Sequence, residues 1–229
     1  MVYTGYKRVA LMPSPEGLHY YADEGEEEES HALQPSFHRV VSLIDYEVTV
    51  KHPLEHTWTQ WHWENDRNKS WIDMLIEVTS FNTVEDFFSV YYIIKPPSDL
   101  KIFNDYMVFK QGVRPMWEDE ANKNGGRWIM LLEKASKCFI NKMWHDLLLC
   151  ILGECFHYSD QICGAVINVR NKANKLSLWT KDAANEQAIL SIGHHMKQLL
   201  ELGDMEIQYQ AHKDAMVQHG PNLNAMYKL

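Results

Sequence analysis

Gly164-Ala165-Val166-Ile167-Asn168-Val169-Arg170-Asn171-Lys172-Ala173-Asn174-Lys175-Leu176-Ser177-Leu178-Trp179-Thr180 reads as two strands folded back on each other. Gly164 to Val169 and Lys175 to Thr180 are rich in β-branched and aromatic residues, and Asn171-Lys172-Ala173-Asn174 supplies the polar turn between them. Further strands are expected at Thr57 to Trp63, Tyr106 to Phe109, Trp128 to Leu132 and Met205 to Gln210. Helices alternate with them. Thr83 opens the first, with Asp86 placed to complete a cap; Val84, Phe87, Val90, Tyr91 and Ile94 recur at helical spacing until Pro96-Pro97 ends the run. A second helix is expected from about Asn141 to Cys155 and a third from about Ala184 to Leu202. This pattern is α+β, and it shows no internal repeat.

The turn also concentrates charge. Arg170, Lys172 and Lys175 place three cations within six residues, enough to receive a triphosphate through charge-assisted hydrogen bonds. Most Lys-rich turns are simply solvated, so a phosphate role needs a second feature nearby. Tryptophan provides one. Trp71 follows the polar stretch Glu64 to Lys69, where a side chain can face a ligand, and Trp117 stands beside a carboxylate in Pro115-Met116-Trp117-Glu118. Two indoles suit a flat, electron-poor ring. A purine bearing a ring methyl, such as 7-methylguanine, is cationic and gains cation–π attraction on top of stacking. Glu118 can only accept hydrogen bonds, and the Watson–Crick edge of guanine offers two adjacent donors. With eight tryptophans in the chain, any single one is more often core than ligand contact.

Composition bounds the alternatives. A chain of 229 residues with 45% hydrophobic and 12% aromatic content can bury one full core. Residues 1–30 carry seven acids against Lys7 and Arg8, which is −5 of the total −9. That balance argues against a long phosphate-gripping track but permits a local basic site. Residues 1–36 read as an acidic, disordered tail and 37–229 as a single domain, with the character of Val40 to Val50 left open. Cysteines 138, 150, 155 and 163 form no C-x-x-C pair, and their apolar neighbours predict buried thiols in a reducing compartment. There is no signal-peptide pattern, and the longest apolar run, Leu147 to Leu152, is too short to span a bilayer, so a cytoplasmic protein with no membrane partner is expected. Asn68-Lys69-Ser70 then matches a glycosylation pattern by chance.

Catalytic and metal signatures are lacking. His194-His195 are adjacent, not four apart as a helical zinc pair requires, and no G-x-S-x-G, H-E-x-x-H or P-loop occurs. Gly125-Gly126 precedes a strand and reads as a turn. No cofactor is expected, and an enzyme acting on nucleotides rests only on the idea that an aromatic slot with a carboxylate can also orient a base for chemistry.

From about His52 to His212 the chain resembles the cap-binding translation initiation factors of the 4E family. The resemblance is carried by His52-Pro53-Leu54, Thr83-Val84-Glu85-Asp86-Phe87, Pro115-Met116-Trp117-Glu118-Asp119-Glu120, Gly125-Gly126-Arg127-Trp128, Ile162-Cys163-Gly164-Ala165-Val166 and Asn168-Val169-Arg170, in the family's order. It implies a curved antiparallel sheet of about eight strands with three helices on the convex face and a cap slot on the concave one. It further implies that Trp71 and Trp117 stack the base, Glu118 reads guanine, Trp179 lies against the base methyl, and Arg170 and Lys175 hold phosphates, with Lys172 beside them.

The same resemblance implies a second surface for a Tyr-x-x-x-x-Leu-hydrophobic peptide, carried by the initiation factor 4G scaffold and by the 4E-binding proteins. His52, Pro53, Val84, Phe88, Trp144, His145, Asp146, Leu149 and Gly153 are its expected receivers. Three of them depart from the family pattern: Phe88 stands for a usual Trp, and His145-Asp146 for Leu-Glu. Each exchange trades away apolar area or reach at a cost of around 1 kcal/mol. Two outcomes follow, a factor that recruits capped mRNA to the scaffold or a cap-binding repressor with weakened scaffold binding. Near the C-terminus the family's regulatory Ser aligns with Pro221, no Ser or Thr occurs from Lys213 to Leu229, and Gln218 stands near the place of a usual basic residue.

Overall fold

In the computed structural model, residues 50–133, 135–217 and 225–229 are described. The acidic tail, the segment from Val40 to residue 49, and Gln218 and Pro221 lie outside them. Eight strands form one antiparallel sheet: β1 (Pro53–Trp63), β2 (Leu75–Thr83), β3 (Asp105–Lys110), β4 (Gly126–Glu133), β5 (Ile162–Asn168), β6 (Ala173–Thr180), β7 (Ile207–Ala211) and β8 (Tyr227–Lys228). Their spatial order is β2-β1-β3-β5-β6-β4-β7-β8, and strand twist makes the sheet curved.

Strand alternation divides the side chains between two faces. Tyr106 and Val108 of β3, Trp128, Met130 and Leu132 of β4, Ala165 and Ile167 of β5, and Leu176 and Leu178 of β6 share one large core with the helices. The alternate positions, including Met107, Phe109, Val166 and Trp179, form a smaller cluster on the opposite face with Trp61, Leu75 and Cys163. The helices are α1 (Val84–Ile93), α2 (Lys137–Leu152), α3 (Glu186–Leu199) and the short α4 (His212–Val217). Thr83 caps α1 by accepting from the Asp86 amide, and its hydroxyl donates to the Asp86 carboxylate at 2.7 Å. Ser136 caps α2, which therefore begins four residues before the periodicity suggests, and Asn185 caps α3. Trp128 is fully buried and donates its indole N–H to the Ile189 carbonyl of α3 at 3.0 Å. Gly193 permits that approach, because a Cβ there would come within 2.3 Å of the Trp128 ring.

Three departures from the sequence reading have physical causes. β2 escaped notice because it is an edge strand with apolar residues on both faces: Leu75 and Phe81 are buried while Ile76 and Val78 are exposed, so no clean alternation marks it. The hairpin connection begins earlier than expected. β5 ends at Asn168 and β6 starts at Ala173, so Arg170 lies in the connection, its amide donating to the Asn174 side-chain oxygen at 3.0 Å. The expectation of four buried thiols is corrected: Cys163 is buried and Cys150 half-buried, but Cys138, in the first turn of α2, and Cys155, beyond its end, are exposed. All four are free.

Candidate ligand-binding cleft

The loops that follow the antiparallel neighbours β1 and β3 leave opposite ends of the sheet, and each brings a tryptophan to one cleft. The β1–β2 loop presents Trp71 at the start of a short 3-10 turn, Ile72–Met74, with the ring 48% exposed. Ser70 steadies that turn by donating to the Asp73 carboxylate at 2.6 Å. The β3–β4 loop presents Trp117 and Glu118, and it is tied to itself from within. Asp119 accepts from the amides of Arg114 and Ala121 at 3.0 and 2.9 Å, and the buried Asn122 donates to the carbonyls of Arg114 and Met116 at 2.8 and 3.0 Å. These bonds order the loop before any ligand arrives, which lowers the entropic cost of binding.

Trp71, Trp117, Glu118 and Trp179 line one cleft of about 370 Å³, together with Asp105, Met107, Met116, Arg127 and Asn168. Trp71 and Trp117 bring exposed and half-buried ring faces to it, whereas Trp179 is 4% exposed and belongs to the floor. The Glu118 side chain is exposed and makes no hydrogen bond to the described residues, so both carboxylate oxygens are free to accept. The Trp179 indole N–H is likewise unpartnered.

Arg127 is the cation of this cleft, and the sequence reading passed over it. Its guanidinium carbon lies 5.8 Å from the Trp117 ring centroid and 6.0 Å from that of Trp179, while its Nε finds no partner. Burial lowers its pKa to about 10, which still leaves it charged at neutral pH. The three cations of the hairpin are arranged differently from their expected convergence. Arg170 is engaged by Asp105, which receives both terminal nitrogens, one at 3.0 Å, and Nη1 also donates to the Val169 carbonyl at 2.9 Å. Lys172 is exposed in the connection. Lys175 lines a neighbouring groove, its pKa lowered by burial and by the charges of Arg127 and Arg170. None of the three lines the indole cleft itself.

Behind the rings stands His212, also absent from the sequence reading. Its imidazole is 0% exposed, 4.2 Å from the Trp179 centroid and 6.5 Å from that of Trp117, with neither nitrogen hydrogen-bonded. Burial, with the Arg127 charge beside it, pushes its pKa down to about 3. The ring is therefore a neutral wedge at physiological pH and adds no positive charge behind a site suited to a cation.

On the helix face, the expected receivers of a partner peptide fall at the β1–α1 junction and along α2. His52 and Glu85 are joined by a 2.6 Å ring contact and a 2.9 Å amide bond, and the Val84 amide donates to the His52 carbonyl, which fixes Pro53 against α1. Phe88 is half-buried and stacks on Tyr92 with centroids 5.7 Å apart. Asp146 accepts from Lys142 at 2.6 Å, and the His145 ring lies 3.2 Å from Asp146 and 5.2 Å from Tyr91. Leu149 and Gly153 are exposed. Trp144 is not a surface residue: it is 1% exposed, because its position on α2 turns into the core beside Met143 and Leu147.

Comparison with known proteins agrees with this arrangement. The family model described as Eukaryotic initiation factor 4E matches residues 53–226. The Drosophila melanogaster protein Eukaryotic translation initiation factor 4E1 is 57% identical over 184 residues, covering 80% of this chain and 71% of the relative. The Homo sapiens Eukaryotic translation initiation factor 4E is 42% identical over 174 residues, covering 75% and 80%. Among solved structures, the C. elegans eIF4E-3 complex with the 4E-binding protein Mextli and cap analog superposes with a TM-score of 0.73 at 41% identity, covering 79% of this chain and 100% of that one. The Ascaris suum eIF4E-3 complex with m7G cap gives 0.73 at 40% identity, covering 79% and 98%. With matches of this extent, the chain belongs to the eukaryotic initiation factor 4E family.

Proposed function

We propose that the protein binds the 7-methylguanosine cap of mRNA and brings it to translation initiation through a 4G-type scaffold. The observation that carries this reading is the convergence, from two separate loops, of Trp71, Trp117 and the free carboxylate of Glu118 on one cleft whose wall holds a half-buried cation, Arg127. The indoles stack the methylated base, Glu118 accepts from guanine N1–H and N2–H, and Trp179 lies against the methyl group. Arg127 and Lys175 receive the phosphates. Arg170 contributes less directly, since Asp105 already occupies its guanidinium. Nothing in this chemistry breaks a bond, so the factor acts by binding alone, in the cytoplasm, as one domain over residues 37–229 behind an acidic tail.

Retention on a 7-methyl-GTP matrix, lost in Trp117→Ala and reduced in Glu118→Gln, tests the cap reading; an unretained parent protein contradicts it. Nucleotide turnover by the purified protein would favour an enzyme instead.

The convex face favours a second reading, a cap-binding repressor with weakened scaffold binding. There the smaller Phe88 and the Asp146 carboxylate, already engaged by Lys142, replace a larger apolar contact and a longer free acid. A pulldown with a Tyr-x-x-x-x-Leu-hydrophobic peptide separates the two. Weak capture restored by Phe88→Trp supports the repressor, and strong capture by the parent chain supports the recruiter.

A further inference from the structure

We propose that Cys150 and Cys155, at the C-terminal end of α2, are a redox-active pair that forms a reversible disulfide with a low-molecular-weight disulfide as oxidant, fastening the end of the helix whatever the indole cleft binds.

The way α2 ends brings the pair together. The Cys155 amide donates to the Cys150 carbonyl at 2.9 Å, and the Glu154 amide donates to the Ile151 carbonyl at 3.4 Å. These two nested bonds close the helix in a turn that sets the side chain of its last turn against the one just beyond it. That contact is commonly apolar; here it falls to two thiols. A disulfide needs the same approach, with Cα atoms about 4.4–6.8 Å apart. Between them Glu154 takes φ +52°, a left-handed conformation that a residue with a Cβ resists, so a covalent tie across the turn holds what the backbone alone holds weakly.

The two thiols differ in access. Both are free, Cys155 exposed and Cys150 half-buried, and the Cys155 sulfur lies 3.7 Å from the Gly153 carbonyl oxygen. Burial, and then the Cys155 side chain beside it, push the Cys150 thiol up to about 11. Cys155 therefore meets the oxidant and Cys150 resolves the adduct. As a thiolate, Cys155 attacks one sulfur of oxidised glutathione and the first glutathione thiolate leaves. Cys150 then gives its proton to solvent and attacks the Cys155 sulfur, and the second glutathione thiolate leaves. Two protein thiols are oxidised, one external disulfide is reduced to two thiols, and the released protons go to the departing thiolates. Neither remaining cysteine competes: Cys138 lies in the first turn of α2, and Cys163 belongs to the apolar cluster on the other face of the sheet. Leu149, beside the new ring, and Gly153, within it, are exposed and belong to the surface expected to receive a partner peptide, so the bond forms inside that surface.

The test equilibrates the full chain in mixtures of reduced and oxidised glutathione, followed by alkylation and mass spectrometry. Cys150 and Cys155 are expected to lose alkylation together, with the disulfide exceeding the mixed disulfide on Cys155 by about tenfold, and reduced glutathione should restore both. In Cys150→Ser, and equally in Cys150→Ala, Cys155 should stop at the glutathione adduct. Amide hydrogen exchange at Glu154 and Cys155 should slow about tenfold in the oxidised parent chain. A mixed disulfide on Cys155 as abundant in the parent as in the variants, a bond from either cysteine to Cys163, or unchanged exchange at the end of α2 would overturn the proposal.

Discussion

Lowering the pH from 7 to 5 should destabilise this protein, and His212 sets a measurable part of the loss. The ring is fully buried, and its pKa is lowered from 6.5 to about 3, first by desolvation and then by Arg127. In the unfolded chain the same residue takes up a proton near its ordinary pKa. The unfolded state therefore binds more protons throughout the window from 6.5 down to about 3, and stability contributed by neutral His212 is complete above 6.5 and is lost as pH falls through it. At pH 5 that loss amounts to about 2 kcal/mol relative to pH 7, a sizeable share of a typical domain's stability. Other groups titrate in the same range, including His62, whose pKa burial also lowers, so the parent chain alone does not isolate the effect. His212→Phe does. Neither imidazole nitrogen has a partner, so an apolar ring forfeits no hydrogen bond. Urea unfolding of both proteins at pH 7 and 5, followed by far-UV circular dichroism, should show the variant losing about 2 kcal/mol less than the parent across the interval. An identical pH dependence for the two proteins would refute the assignment of a neutral, desolvated His212.

Three further expectations concern packing and charge. Gly193→Ala should destabilise by about 1–3 kcal/mol in thermal or urea unfolding, because a Cβ at that position meets Trp128 at 2.3 Å. Asp105→Asn removes the charge partner of Arg170, whose side chain is 34% exposed; solvent screening holds the expected loss to about 1–2 kcal/mol, checked by the same unfolding assay. Affinity for 7-methyl-GTP should fall as salt rises and exceed that for 7-methyl-GMP, and Arg127→Leu should flatten both dependences in an isothermal titration series.

Local signals were readable before the fold was known. Helix α1 announced itself because its cap, its apolar stripe and its terminating prolines all lie within fifteen residues, and the β5–β6 hairpin did so through a polar turn between two apolar runs. The candidate cleft was visible only in part. Trp117 and Glu118 are neighbours in the chain, but Arg127 gains meaning from rings on the β3–β4 loop and on β6, and His212 from residues more than thirty positions away. Nothing local marks Arg170 as paired, because its partner, Asp105, lies 65 residues earlier at the start of a strand whose next four residues are Tyr106, Met107, Val108 and Phe109. The resemblance to the family gave the sheet its strand number, while periodicity alone missed the two-residue β8 and the edge strand β2, where the pattern is shortest or faces solvent.

Tryptophan fluorescence titration of the full chain with 7-methyl-GTP and with unmethylated GTP tests the central claim most directly. Cation–π stacking between Trp71 and Trp117 is worth about 2 kcal/mol to the methylated base, so 7-methyl-GTP should quench strongly and bind at least about thirtyfold more tightly than GTP. Equal affinity for the two nucleotides, or quenching that survives Trp117→Ala unchanged, would contradict it.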